Sequence, residues 1–206
     1  MLIHEDDSLA VFNKPSGIDS EDVIFFQNLL EYQVKLFVVH RLDKRAQGLI
    51  LFAKNAGVAA LLSEGFKNET TQKTYHAVVG NAPNPLTSTL ENWIEKNSKL
   101  QKAFVVQQKT NDAKLAKLQY STVKQSIKYS LLEIQLHTGR FHQIRAQLAY
   151  IKSPIVGDVK YGFKRTVADG SIFLQASGIS FKHPISKKNM NFTIPLPTGW
   201  AKYGFE

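Results

Sequence analysis

An alternating pattern in the middle of the chain limits its fold more than any other feature. In the segment 129–137, every second residue from Leu132 to Leu136 is aliphatic, and polar residues fill the positions between them. Such alternation predicts a strand with one buried face, and we expect 115–123 to pair with it. Other runs that favour strands lie at 8–13, 36–39, 48–53, 74–79, 172–176, 179–182 and 190–194.

Helical spacing occurs in only two segments. Asn55 is a suitable cap for a helix from Ala56, whose expected buried residues are Val58, Leu61, Leu62 and Phe66. A second helix is predicted over 141–151. We expect 81–112, which is rich in Pro, Asn, Ser and Thr, to be loops with short strands, and Gly178 to lie in a turn. Strands that do not alternate regularly with helices favour an α+β fold with a largely antiparallel sheet.

Composition narrows the class of protein. The 206 residues suit one domain, or two small lobes around one cleft. A net charge of +9 is typical of a protein that binds a polyanion, although a basic surface also serves solubility. The absence of cysteine excludes disulfides and thiol catalysis. Without a signal-peptide pattern or an apolar run of membrane-spanning length, the sequence predicts a cytoplasmic protein that does not contact a membrane.

Three polar segments interrupt the apolar pattern, and each has an ordinary interpretation beside a chemical one. Asp43, between two predicted core strands, could be a nucleophile, a general base or only a turn former. Tyr75, on a predicted strand, could expose its ring to an unpaired base or pack in the core. Arg145 lies three residues after His142 near a helix start, where it could pair with a carboxylate or phosphate, or be a solvated cation.

Metal and cofactor sites are not indicated. Neither His40 with Asp43 nor His137 with His142 has the spacing and third ligand of a zinc site. A glycine-rich loop that would cradle a nucleotide phosphate is also missing from the sequence. We therefore expect neither a metal nor a cofactor.

Four segments share a pattern with known proteins. They are the turn Lys14-Pro15-Ser16-Gly17 and the stretches 38–55, 73–81 and 136–162, which include His-Arg-Leu-Asp and Gly-Arg-Phe-His-Gln-Ile-Arg. In this order they resemble one known family, the RluA-type pseudouridine synthases. The resemblance implies a mixed, mainly antiparallel sheet with flanking helices and a central basic cleft between two lobes. It also implies one catalytic domain over 1–206, without the N-terminal S4 RNA-binding domain of some relatives.

The same resemblance assigns roles to four residues. Asp43 falls on the catalytic nucleophile of the family, and Tyr75 on the tyrosine that packs against the target base and assists proton removal. Arg145 falls on the arginine that pairs with the aspartate, and Arg41 on one that holds the target nucleotide out of its stack. The implied activity is isomerisation of a uridine in rRNA or tRNA to pseudouridine.

The remaining expectations concern partners and alternatives. We expect a monomer whose phosphate or base contacts come from a set of cationic and histidine side chains, namely Arg41, His40, Lys44, Arg45, Lys73, Arg140, His142, Lys160 and Lys164. One alternative is a catalytically inactive RNA-binding protein of the same fold. Another is a hydrolase that uses Asp43 as nucleophile, such as an N-glycosidase, which would release free uracil.

Overall fold

A computed structural model describes residues 1–30 and 33–205 of the chain. The described strands are β1 (Leu2–Glu5), β2 (Leu9–Lys14), β3 (Phe37–Val38), β4 (Gln47–Ala53), β5 (Gln72–Val79), β6 (Thr87–Asn97), β7 (Lys102–Val106), β8 (Lys114–Gln125), β9 (Ser130–Leu136), β10 (Leu174–Lys182) and β11 (Asn189–Thr193). The α-helices are α1 (Val23–Gln27), α2 (Ala56–Lys67) and α3 (Gln143–Tyr150), and two 3₁₀ helices cover Val159–Tyr161 and Thr198–Tyr203. Within the described ranges, no helix has the length and apolar character needed to cross a bilayer.

The chain divides into two compact units. The first consists of Met1–Lys73 and Gln175–Pro195, and the second of Thr74–Leu174 and the segment from Leu196 to the C-terminus. In the first unit the strands run in the order β1-β2-β4-β10, with β3 also on β4 and β11 also on β10. The β4–β10 pair is parallel and the other pairs are antiparallel.

Helix α2 covers one side of the first unit's sheet. Asn55 accepts a hydrogen bond from the Val58 amide, which confirms the predicted cap. Val58 and Leu62 are buried against β2, β4 and β10. The prediction that Leu61 is buried was wrong, since 46% of it is exposed. The buried stripe of a single helix face is too narrow to include this residue.

Gly48 makes the parallel pairing of β4 with β10 possible. Its φ of +119° lies in a region that side chains rarely adopt, and a Cβ there would be 2.3 Å from the Ala176 carbonyl oxygen. Gly48 and Ala176 are direct partners in the register. The two backbones can therefore approach this closely only with glycine at position 48.

The second unit holds an antiparallel sheet in the order β5-β9-β8-β6-β7. Helix α3 packs on one face through Ala146, against Ile94, Ala103 and Ala116. The expectation of only short strands in 81–112 was wrong, because β6 has 11 residues and pairs with β8 over eight of them. Tertiary pairing here outweighs the turn-forming composition.

Gly178 was also expected in a turn, and it instead continues a strand. Strand β10 runs unbroken from Leu174 to Lys182, and Gly178 pairs with Thr193 of β11. An isolated glycine inside an apolar pattern is compatible with a strand that another backbone approaches. The predicted α+β class with mainly antiparallel pairing is confirmed.

Candidate active site

The loop that carries Asp43 lies between β3 and β4 and is held through its backbone. The Leu42 amide donates to Ser20 Oγ at 2.9 Å, and the same hydroxyl donates to the Leu42 carbonyl at 2.9 Å. On the other side of the aspartate, the Ala46 amide donates to the Asp43 carbonyl at 3.0 Å. The loop is therefore fixed on both sides of the candidate nucleophile.

Lys14 also donates to this loop, from the end of β2. Its ammonium lies 2.7 Å from the Ala46 carbonyl oxygen and 3.4 Å from that of Lys44, and it also meets the carbonyls of Pro15 and Ile18, each at 2.9 Å. The side chain is fully buried. Four oxygens thus surround a cation with three hydrogens, so the longest contact is the weakest.

The charge of Lys14 is balanced by acidic groups. Burial lowers the pKa of Lys14 from 10.5 to about 8, and the negative charges of Asp43 and Asp19 oppose that shift. At neutral pH the ammonium therefore stays protonated and acts on Asp43 electrostatically. Sequence reasoning treated Lys14 only as part of a turn. The available signal was a lysine at the end of β2, two residues after the apolar run Leu9–Phe12.

The rest of the Lys-Pro-Ser-Gly turn contacts the same loop. The Gly17 amide donates to the Lys44 carbonyl at 2.8 Å, and Ser16 Oγ donates to the Arg45 carbonyl at 2.9 Å. The first and second matched motifs therefore form one hydrogen-bonded structure, in which the turn supports the aspartate loop.

His40 serves this unit as a neutral acceptor. Its Nε2 accepts a hydrogen bond from the Leu51 amide at 3.0 Å, and its ring stacks on Phe66 with centroids 4.4 Å apart. Burial and the nearby charge of Lys73 lower the pKa of His40 from 6.5 to about 3. Lys73 itself is only 9% exposed, with its ammonium 5.9 Å from the centre of the Phe66 ring. These surroundings do not suit either side chain for RNA binding.

Arg41 projects from the same loop into solvent. About two thirds of its side chain is exposed, and Nη1 forms an ion pair with Glu21 Oε1 at 2.9 Å. An exposed pair of this kind contributes little stability and exchanges readily for another anion. Lys44 is exposed and Arg45 half-buried, so the loop presents cations on both sides of Asp43.

Tyr75 lies on β5 opposite Ile134 of β9. Only 8% of Tyr75 is accessible, so the structure favours packing in the core over an exposed ring, the two interpretations that the sequence left open. The neighbouring His76 points to the other face of the strand, where it lies 3.8 Å from Glu133. Burial lowers the pKa of His76, and the carboxylate of Glu133 opposes that change.

The third matched motif forms the turn between β9 and α3. Gln143 Oε1 accepts from Thr138 Oγ1 at 2.8 Å and from the Arg140 amide at 3.0 Å, while its Nε2 donates to the Lys117 carbonyl at 3.1 Å. Thr138 Oγ1 also accepts from the Lys117 amide. The two buried polar side chains thus anchor the turn to β8 and fix the start of α3.

Arg145 follows in the first turn of α3 and is only 4% exposed. Its Nε donates to Asp158 Oδ2 at 2.6 Å, and its Nη2 donates to Oδ1 at 2.9 Å. The Tyr161 ring lies 4.8 Å from the guanidinium carbon. The interpretation as a solvated cation is therefore wrong. Sequence reasoning missed Asp158, although a buried arginine requires a carboxylate and Asp158 lies within the same matched stretch.

The other cationic candidates of this unit differ in their surroundings. Arg140 is exposed, and its Nε donates to the Leu115 carbonyl at 2.9 Å. His142 precedes α3 with φ +50° and contacts the Tyr161 hydroxyl through Nδ1 at 3.0 Å. Lys160 donates to the Gln101 carbonyl at 3.0 Å in the β6–β7 turn, and Lys164 is exposed. In the part of the chain that is described, no group of three or more potential ligands could hold a metal ion.

The chain matches known proteins along most of its length. The model of the RNA pseudouridylate synthase family matches residues 8–150. The chain is 32% identical over 204 residues to an uncharacterized RNA pseudouridine synthase of Mycoplasma pneumoniae. The matched region spans 95% of this chain and 66% of that protein. It is 31% identical over 225 residues to tRNA pseudouridine synthase C of Haemophilus ducreyi, covering 97% and 92%, respectively.

A structural comparison points the same way. The solved structure of human RNA Pseudouridylate Synthase Domain Containing 4 matches with a TM-score of 0.80 at 23% identity, covering 97% of this chain and 90% of that one. At this identity the likeness concerns the fold. The family match and the bacterial relatives carry the assignment further: the chain belongs to the RNA pseudouridylate synthase family.

Proposed function

We propose that this protein isomerises uridine to pseudouridine in a structured RNA, tRNA or rRNA, with Asp43 as the nucleophile. The observation that carries the proposal is the aspartate loop itself. A buried ammonium, that of Lys14, and two serine hydroxyls fix a carboxylate-bearing loop in a protein of this family. Such support is what a catalytic group needs in order to meet its substrate in one orientation.

The reaction is balanced without an external reactant. The bond between N1 of uracil and C1′ of ribose breaks, the base turns, and a bond forms between C5 and C1′. C5 then loses its proton and N1 gains one, so the nucleotide keeps its composition. Asp43 would supply the negative charge that attacks or stabilises the electron-poor sugar or base. The ammonium of Lys14 and the carboxylate of Asp43 attract each other, so a buried cation lies near the proposed nucleophile.

Tyr75 and Arg145 complete the proposed set of catalytic residues. The Tyr75 ring would pack against the uracil after the base has left its stack, and its hydroxyl would assist proton removal. Because the ring is 8% exposed before RNA binds, this role requires that the target nucleotide approach one edge of the ring. Pairing of Arg145 with Asp43 stays a prediction that follows from the resemblance.

The substrate is proposed from the relatives and from the surface charge. The Haemophilus ducreyi relative, which this chain covers almost completely, is named as a tRNA enzyme. The exposed cations suit the phosphate backbone of a folded RNA, and we propose as its contacts Arg41, Lys44, Arg140 and Lys164. We leave His40 and Lys73 out of this set because both serve the interior of the fold.

The proposal is tested with RNA that carries tritium at C5 of uridine. Isomerisation exchanges this hydrogen for solvent hydrogen, so tritium should appear in water while the base stays attached to the RNA. Release of free uracil would instead indicate an N-glycosidase. RNA binding without tritium release from either tRNA or rRNA would indicate an inactive binding protein. Pseudouridine mapping of cellular RNA with and without the gene then identifies the modified position.

A further inference from the structure

The hairpin turn between β8 and β9 carries two side chains that the turn itself does not require. The Ser126 amide donates to the Tyr129 carbonyl at 2.8 Å, and the Tyr129 amide donates to Ser126 Oγ at 3.2 Å. Ile127 and Lys128 occupy the two central positions, where Asn, Asp and Gly are the usual residues of a tight turn. Ile127 is fully exposed and Lys128 is exposed. The turn therefore presents an aliphatic and a cationic side chain to solvent.

Two further lysines lie on segments beside this turn. Lys124 is exposed on β8, two residues before the turn begins. Lys202 is exposed in the second 3₁₀ helix, with its ammonium 5.3 Å from the centre of the Tyr203 ring. The Tyr203 ring lies 5.3 Å from the ring of Tyr129 in the hairpin turn. We refer to the four exposed side chains on these two segments as the tip cluster, namely Lys124, Ile127, Lys128 and Lys202.

Aromatic packing holds the backbone of the tip cluster in place. The Tyr203 ring meets the Phe173 ring edge-on with centroids 4.7 Å apart, and Phe173 stacks on Trp200 at 5.3 Å. Phe173 and Trp200 are both buried. Ring contacts therefore connect the hairpin turn to the core of the second unit. A surface whose backbone is fixed in advance loses less entropy when a partner binds.

The charge of the tip cluster is complementary to a phosphate backbone. The range 113–132 contains four lysines and no acidic residue. Asp169 interacts electrostatically with Lys202, but its carboxylate already accepts a hydrogen bond from the Ser171 amide at 3.0 Å. Lysines bind phosphates without reading the base sequence. An aliphatic side chain between them suits the wide, shallow minor groove of an RNA helix, which proteins recognise mainly by shape.

The strand register places the tip cluster at a distance from Tyr75. Tyr75 pairs with Ile134 toward the end of β9, whereas Ser130 at the start of β9 pairs with Val79. At a rise of about 3.3 Å per residue, the hairpin turn lies roughly 20 Å from Tyr75 along the strands. A single nucleotide at Tyr75 does not extend that far, but a helical stem of the same RNA does.

We propose that the tip cluster is a second RNA-binding surface, which holds a helical part of the substrate away from the target uridine. The inference rests on the proposed function and adds a surface to it. Contacts made this far from Tyr75 are the same before and during the reaction. They therefore raise the affinity for a large RNA without changing the rate of the bound complex.

The location is tested with a hydroxyl-radical probe in the full-length protein. Because the sequence contains no cysteine, Ile127→Cys gives a single attachment point for an iron chelate that cleaves nearby RNA. Ile185→Cys is the matched control, an exposed isoleucine in the turn between β10 and β11. With unmodified tRNA and rRNA transcripts bound in turn, position 127 should cleave one helical region that position 185 does not. Absent cleavage from position 127, or the same pattern from both positions, would overturn the proposal.

A charge variant measures what the tip cluster contributes to binding. Lys124→Gln combined with Lys128→Gln should weaken RNA binding and reduce the salt slope by about two units. Its single-turnover rate at saturating enzyme should equal that of wild type. Lys182→Gln combined with Lys188→Gln removes the same charge from the other hairpin and should change the slope by less than half as much.

Two results of this comparison would contradict the tip cluster as an RNA surface. Equal losses in the two double variants would reduce the effect to net charge. Unchanged RNA affinity in the Lys124→Gln and Lys128→Gln variant would leave the surface to a partner other than RNA. Both readouts are binding measurements, so they stand apart from the reaction. RNA binding by wild type without tritium release would contradict the proposed function and not this surface.

Discussion

The Lys14 ammonium donates to the carbonyl oxygen of Ala46 at 2.7 Å, across 32 residues of sequence. The end of β2 and the far side of the Asp43 loop are therefore joined by a buried cation. Few side chains could replace it, because a shorter one would not reach and an apolar one would leave the carbonyls without donors.

Replacement of Lys14 by Met should therefore destabilise the protein by about 2–5 kcal/mol, since several buried carbonyls lose their donor. The folded-state pKa of Lys14, about 8, lies below its ordinary value of 10.5. Between these values the unfolded chain binds more protons, so this group makes stability rise with pH. Denaturant unfolding from pH 7 to 10.5 should show wild type gaining stability relative to Lys14→Met. Parallel curves would show that Lys14 does not titrate there.

Asp43→Asn should abolish tritium release and leave folding and RNA binding nearly unchanged, because the amide keeps the shape of the side chain and loses its charge. Asp19→Asn is a matched control. Asp19 also acts on Lys14 electrostatically, but its side chain is exposed, and Asn can still accept the hydrogen bond from the Glu21 amide. The control should stay fully active. Substantial product from Asp43→Asn would remove it as nucleophile.

His40 should make the protein sensitive to acid. Its pKa is about 3 in the folded state and 6.5 ordinarily, so the unfolded chain takes up the proton first. Its contribution to stability is therefore present above pH 6.5 and is lost as the pH falls toward 3. In His40→Gln, whose amide oxygen can accept from the Leu51 amide, this part of the acid loss should disappear. Equal acid sensitivity in both proteins would show that His40 is not the group responsible.

Arg41 and Lys164 should affect different steps. Lys164→Ala should weaken binding to many RNAs about equally and reduce the salt slope by roughly one unit, as expected for a phosphate contact. Arg41→Ala should lower the single-turnover rate more than the affinity if Arg41, besides contacting the backbone, has the role that the family resemblance implies and holds the flipped nucleotide. Glu21→Gln, which only releases Arg41 from its ion pair, is the control. Identical effects on binding alone would make Arg41 an ordinary phosphate contact.

Gly48→Ala should be among the most damaging single changes. The added methyl group would overlap the Ala176 backbone, at 2.3 Å from its carbonyl oxygen, and the φ of +119° would add strain. We expect a loss of about 3 kcal/mol or more, or failure to fold. Gly199→Ala is a suitable control, because a Cβ there meets nothing within 4 Å. A melting temperature of Gly48→Ala close to that of wild type would contradict this account.

The positions of the main elements could be predicted from local patterns. The Asn55 cap and the β9 alternation depend on neighbouring residues, and both are found in the structure. The length of β6 depends on β8, which begins 27 residues after β6 does, so local composition could not reveal it. Gly178 was misjudged for the same reason, since its conformation is set by Thr193 on the neighbouring strand.

For the candidate site, the sequence pointed to some residues and gave no indication of others. Asp43, Tyr75 and Arg145 were proposed as catalytic residues from the order of the matched motifs, and nothing in the local sequence marked Arg145 as buried. Lys14 and Asp158 were passed over because a charged residue is ordinarily placed on the surface. Their burial depends on partners in other elements, namely the Ala46 carbonyl, 32 residues from Lys14, and the α3 guanidinium, 13 residues from Asp158.

The pairing of β4 with β10 can form only late in the synthesis of the chain. Residues Gln47 and Gly48 are made early, but their partners Gln175 and Ala176 leave the ribosome more than a hundred residues later. At a translation rate of about 5–20 residues per second, one edge of β4 stays unpaired for several seconds or more until β10 has been made. The nascent chain therefore exposes that edge during translation, and the first unit is completed only after its second segment, Gln175–Pro195, has been made.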